Sequence, residues 1–151
     1  MTATDANAPF ERLIQRIAPG SKLLRAWPLA GGVSAQMTAL EIARADGTTA
    51  KWVARRLADV DPTSDDTILA LEYKLLHALR ATSLPTPTPI AYDPPGAIFD
   101  APTLVLEYVE GAPQFEPQDM DAFIRQLAAQ MAQIHHLDVA ALDLAFLPRQ
   151  A

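Results

Sequence analysis

The sequence contains no cysteine. A disulfide framework and a thiolate metal site are therefore both excluded. Basic residues are scarce: 12 Lys and Arg stand against 18 Asp and Glu, for a formal net charge of −6. Nucleic acid needs a basic footprint and is not an expected partner, although a local cationic pocket could still hold a small anion. No apolar run approaches the roughly 20 residues that span a bilayer. Met1 to Pro9 also lacks the basic-then-apolar order of a secretory leader. The expectation is a cytoplasmic protein with no membrane partner. What is there is a chain of 151 residues, half of them apolar and a fifth charged. That is enough for one ordinary domain with a core.

Hydrophobic spacing and punctuation then set the elements. Phe10, Leu13, Ile14 and Ile17 recur at helical spacing behind Pro9, which suits a first-turn position, and Pro19-Gly20 stops the helix. A strand from Lys22 to Leu29 is interrupted near Pro28. A second runs from about Gln36 to Ala45, Asp46-Gly47 makes a tight hairpin turn, and Thr49 to Leu57 returns. Leu57 to Asp66 reads as a polar loop. Asp65, Asp66 or Thr67 can then cap a helix from Ile68 to Leu79. Pro85, Pro87 and Pro89 make Ser83 to Pro89 an extended connector. A short strand around Ile90 to Tyr92, a Pro94-Pro95-Gly96 turn and an apolar strand from Thr103 to Val109 follow. Gly111 and Pro113 break the chain before a last helix from about Pro117 to Leu137. The order is α+β.

One residue disturbs a plain core. On a helical wheel Ile68, Leu71, Leu75, Leu76 and Leu79 form the apolar stripe of the Ile68–Leu79 helix, and Glu72 falls in its middle. A carboxylate on a buried face costs several kcal/mol unless it is paired. The nearest candidate partner is on the returning strand, where Lys51, Val53 and Arg55 share one face. The wheel alone leaves two alternatives open: Glu72 pairs with that cation, or it reaches solvent at the edge of a thinner stripe. Arg56, on the opposite face, is expected to be a solvated surface charge.

Six short stretches carry a resemblance. They are Leu29-Ala30-Gly31-Gly32-Val33-Ser34, Trp52-Val53-Ala54-Arg55-Arg56, Glu72-Tyr73-Lys74-Leu75-Leu76, Leu84 through Pro89, Leu104 through Gly111, and Leu127-Ala128 through Ile134-His135. In this order the chain resembles the aminoglycoside phosphotransferase and choline-kinase-like family, relatives of the protein kinases. The resemblance implies a protein-kinase-like N-lobe: a five-stranded antiparallel sheet with a packed helix over residues 1–111. Residues 112–151 would be the linker and first helix of a C-lobe. It implies that Gly31, Gly32 and Ser34 fold over phosphates, that Val53 roofs the adenine, and that Arg55 reaches the phosphates where protein kinases carry lysine. Glu72 would hold that cation. The carbonyl of Glu107 and the N–H of Val109 would meet the adenine edge, with Leu106 behind them. His135 would be structural.

The same resemblance marks what the sequence given does not contain. The family's catalytic loop, His-Gly-Asp with a downstream Asn, and a second Asp that holds Mg²⁺ are not found. His135-His136-Leu137-Asp138 lacks the glycine and the Asn. No catalytic and no metal residue is therefore assigned. The expected cofactor is ATP or GTP, with Mg²⁺ only in company of the missing C-lobe, and a small-molecule acceptor only in a full-length enzyme. The expectation is a nucleotide-binding lobe that is inactive alone; the alternative is a non-catalytic interaction module of the same shape. Met120, Phe123, Ile124, Leu127, Met131 and Ile134 would form an uncovered stripe, so self-association through residues 120–137 is expected.

Overall fold

A computed structural model describes residues 3–30, 35–57, 68–112 and 114–147. Helix α1 (Ala3–Ile17) is followed by strands β1 (Lys22–Pro28), β2 (Ala35–Ala43) and β3 (Thr49–Leu57), helix α2 (Ile68–Leu79), strands β4 (Pro89–Asp93) and β5 (Thr103–Glu107), and helix α3 (Met120–His135). A single 3₁₀ turn, Val139–Ala141, follows α3. The five strands form one sheet in the order β1-β2-β3-β5-β4, and every neighbouring pair is antiparallel. Among the described residues, no helix is long and apolar enough to cross a membrane.

The β2–β3 hairpin keeps an unbroken register from Ala43↔Thr49 to Ala35↔Leu57. Its loop closes by the Gly47 N–H donating to the Arg44 carbonyl (3.0 Å) and the Arg44 N–H donating to Thr48 (2.8 Å). Asp46 accepts from the Thr48 N–H and hydroxyl. Gly47 takes φ +83°, a left-handed conformation that a Cβ disfavours. Gly47→Ala is expected to lower stability by about 1 kcal/mol in chemical denaturation, because the space around it is open and only the backbone conformation resists.

Strand alternation assigns the two sheet faces. Leu40, Ile42, Trp52, Ala54 and Val105 join Phe10, Leu13 and Ile14 of α1 in one buried cluster, completed by Phe99. On the other face Leu104 and Leu106 meet Leu69 of α2, with Tyr73 and Leu76 packed alongside. The helices thus cover opposite faces. Arg16 ties α1 to the buried Asp93 at the end of β4 (2.7 Å).

Several sequence expectations are corrected by this packing. Helix α1 starts at Ala3, so Pro9 lies inside it rather than in its first turn. Leu69 is the one buried residue of α2, with Tyr73 and Leu76 partly buried beside it against the sheet, whereas Ile68 is 67% exposed. Leucines at 69, 71, 75, 76 and 79 permit more than one apolar face. The sheet selects the set at i, i+4 and i+7, and Glu72 sits on that side at i+3. Strand β5 ends at Glu107, not Val109. Helix α3 begins at Met120, where the Asp119 carboxylate accepts from the Ala122 N–H, three residues after Pro117.

Arg56 is not a solvated charge. Its guanidinium lies over the rings of Phe99 (4.7 Å) and Phe10 (5.3 Å) and donates to Gln36 (3.0 Å). Burial lowers its pKa from the usual arginine value. The reason is geometric: α1 and the 97–101 segment close over the face that a bare strand would have left to water. The proposed caps of α2 at Asp65, Asp66 and Thr67 lie outside the described residues.

Candidate functional site

Strand β3 supplies the centre of the site. Val53 and Arg55 share a face because strand side chains alternate, and they stand about 7 Å apart along the strand. Helix α2 crosses the same face and brings Glu72 to Arg55. One guanidinium nitrogen, Nη1, donates to both carboxylate oxygens of Glu72, at 2.6 Å and 2.5 Å. The two side chains are 26% and 29% exposed. Charge-assisted bonds of this length in a half-desolvated setting fix both groups. Among the described residues only Glu72 engages the Arg55 guanidinium, through Nη1, so Nη2 and Nε have donors for a further acceptor.

Beside this pair is a cavity of about 360 Å³, lined by Leu29, Met37, Val53, Leu106, Val109 and Gly111, among others. That volume falls in the range of small-molecule pockets. In register, Val53 faces Leu106 on one side and Ala39 on the other. The walls are apolar, and the chain from Glu107 to Gly111 forms one rim. A cation thus stands one strand repeat away from a slot with apolar walls.

Glu107 contributes to this rim with its main chain. It pairs with Trp52, so its side chain lies on the face opposite Val53 and Leu106. There the carboxylate accepts from the Thr88 hydroxyl (2.6 Å) and the Thr88 N–H (3.2 Å), while the Glu107 N–H donates to the Thr88 carbonyl (2.8 Å). These bonds from Thr88 hold the Glu107 carboxyl below its usual range. Since the folded-state value is the lower one, the stabilisation is present above the unfolded-state pKa and is lost as pH falls through the folded value.

The outer flank of the rim is an alternation of cations and rings. Lys51 donates to Glu110 (2.6 Å) and lies 5.6 Å from the Tyr108 ring; Tyr108 meets Trp27 at 6.3 Å, and Arg25 covers Trp27 at 4.6 Å. The hydrogen bond and charge of Glu110 raise the Lys51 pKa.

Of the residues singled out in the sequence, Val53, Glu107 and Val109 converge on the cavity, and Arg55 and Glu72 form the adjoining pair. Glu72 therefore does not snorkel to solvent. Gly31, Gly32 and Ser34 lie outside the described residues. Met37, Pro87 and Tyr108 were not foreseen as lining. Met37 is legible in retrospect, because the hairpin register set by Gly47 places it opposite Arg55. His135 is exposed, and no group of His, Asp or Glu able to hold a metal occurs among the described residues.

The five-stranded antiparallel sheet with a helix on the Arg55 face defines a kinase-like N-lobe. The chain belongs to the family described as "Phosphotransferase enzyme family", whose profile matches residues 26–151. Comparison with curated proteins gives no match. Among solved structures, the chain is similar to a putative aminoglycoside phosphotransferase from Ralstonia eutropha JMP134, with a TM-score of 0.68 and 15% identity. The match covers 95% of this chain and 42% of that one, so the chain spans less than half the length of its structural neighbour.

Proposed function

We propose that the chain is the nucleotide-binding lobe of an ATP- or GTP-dependent small-molecule phosphotransferase, inactive without the C-lobe. The observation that carries this reading is the Arg55–Glu72 pair standing beside the apolar slot of Val53 and Leu106. A purine between those side chains would direct its phosphates along β3 toward Arg55, whose remaining donors suit phosphate oxygens. Gly31, Gly32 and Ser34 would close over the phosphates from the β1–β2 turn. Glu107 and Val109 would meet the base through main-chain groups. The acceptor and Mg²⁺ belong to a C-lobe, and the cytoplasm is the compartment where nucleotide triphosphates are abundant.

Thermal unfolding of the wild-type chain with ATP, ADP and GTP, each with and without Mg²⁺, tests the reading. At ligand concentrations near 100 times Kd, binding adds about 2.7 kcal/mol and raises Tm by several degrees. A Tm indifferent to all three nucleotides would favour the alternative, an interaction module that keeps the shape of the lobe without the ligand.

We also propose that the chain associates with a second copy of itself through residues 120–137. No residue of α3 is buried. Met120, Phe123, Ile124, Leu127, Met131 and Ile134 are each about half exposed (43–54%), at the three-and-four spacing of a helix seam. Asp119 and Asp121 stand at one end of α3, and His135 and His136 at the other. An antiparallel pair of these helices sets acids against histidines and opposes the two helix dipoles.

A further inference from the structure

We infer that the Glu107 side chain is a positioning residue for nucleotide choice: it diverts the one N–H that would otherwise occupy its own main-chain carbonyl. The inference rests on the nucleotide-binding reading above and specifies which purine the slot takes.

The register defines the problem. Tyr108 donates its N–H to the Lys51 carbonyl, so the main-chain groups of residue 108 face β3. Those of Glu107, one residue earlier, face the other way, toward the connector that leads into β4. Residues directly opposite in such an antiparallel pair normally exchange two hydrogen bonds. Only one is made here: the Glu107 N–H donates to the Thr88 carbonyl. The Thr88 N–H goes instead to the Glu107 carboxylate, and the Thr88 hydroxyl goes to the same oxygen. On either side of Thr88 the chain has Pro87 and Pro89, neither of which has an N–H to offer. The connector therefore presents a single donor to the Glu107 carbonyl, and the Glu107 side chain captures it.

The chemical consequence is a carbonyl that accepts from no described residue, on a residue that lines the cavity. A 6-aminopurine has an N–H₂ donor that fits it. A 6-oxopurine, guanine or hypoxanthine, has a carbonyl oxygen in that place and would set two acceptors against each other. Adenine nucleotides are thus the matching class. The two sheet faces share the work, with the slot on one side and the carboxylate that keeps its rim open on the other.

Two substitutions break the same side-chain bonds with opposite results. Glu107→Ala removes the carboxylate and releases the Thr88 N–H to its carbonyl. Thr88→Pro also abolishes the bonds, but it removes the N–H with them. Titrations of ATP and inosine triphosphate into the wild type should show a preference for ATP of about tenfold, the value of one hydrogen bond. Glu107→Ala should reduce that preference severalfold, leaving the part set by the Val109 N–H against a protonated N1, whereas Thr88→Pro and the double variant Glu107→Ala/Thr88→Pro should keep the wild-type preference. Equal behaviour of the two single variants would overturn the inference and reduce the contact to a structural one, as would a wild type that binds both nucleotides equally. A wild type that binds neither would sink the nucleotide reading itself, and the two failures are distinguished by that first titration.

Discussion

Arg55→Ala is expected to abolish the nucleotide-dependent rise in Tm and to weaken ATP binding by at least a hundredfold. The estimate follows from the number of charge-assisted bonds at stake: each bond to a charged group is worth about 1.5–3 kcal/mol, and Arg55 would offer two donors to phosphate. Arg55→Lys restores the charge but not the fork, so it should recover part of the affinity. Glu72→Gln should fall between, at about a tenfold loss, since the guanidinium remains but loses the anion that orients it. The double variant Arg55→Ala/Glu72→Gln should bind no more weakly than Arg55→Ala alone, because the carboxylate acts only through the cation. Isothermal titration gives each affinity. Additive losses would show that Glu72 acts on the nucleotide independently of Arg55.

Stability should respond to the same variants in a different pattern. The pair is neither fully exposed nor fully buried, so removing one partner is expected to cost about 1–2 kcal/mol, between the values for surface pairs and for buried ones. A variant that loses nucleotide affinity but keeps most of its unfolding free energy separates ligand grip from folding.

The second large effect concerns α3. Leu127→Glu and Met131→Glu place a charge in the middle of the exposed stripe. Either substitution should convert a self-associating chain into a monomer in sedimentation equilibrium at micromolar concentration, with no loss of thermal stability in the sheet, because no residue of α3 is buried. Gln126→Glu, which adds the same charge outside the stripe, should leave association intact. A wild type that sediments as a monomer contradicts the proposal outright.

The sequence was informative wherever punctuation and alternation agreed. Thr49 to Leu57 was bounded by Asp46-Gly47 on one side, and the alternation of Trp52 and Ala54 against Val53 and Arg55 left little choice of face, so β3 and its two faces were legible. Helix α2 was legible in extent but not in orientation, since its many leucines give no unique wheel. Its inward carboxylate became meaningful only when the sheet face had been fixed. Arg56 was misread for a related reason: the residues that cover it, Phe10 and Phe99, are more than forty positions away in either direction, and no local pattern announces such a contact. The Thr88–Glu107 contact was equally silent. The alternate prolines were read as an extended connector, yet their missing N–H groups matter as much as their shape. Backbone recognition by Glu107 and Val109 rested on resemblance, because main-chain groups leave no side-chain signature.

The most direct test of the central assignment is a crystal structure of the chain with ATP. Expected is the purine between Val53 and Leu106, with its amino group on the Glu107 carbonyl. A phosphate oxygen should lie within hydrogen-bond distance of Arg55 while Glu72 retains the other side of the guanidinium. A nucleotide bound elsewhere, or Arg55 turned from Glu72 into solvent with the slot empty, would contradict it.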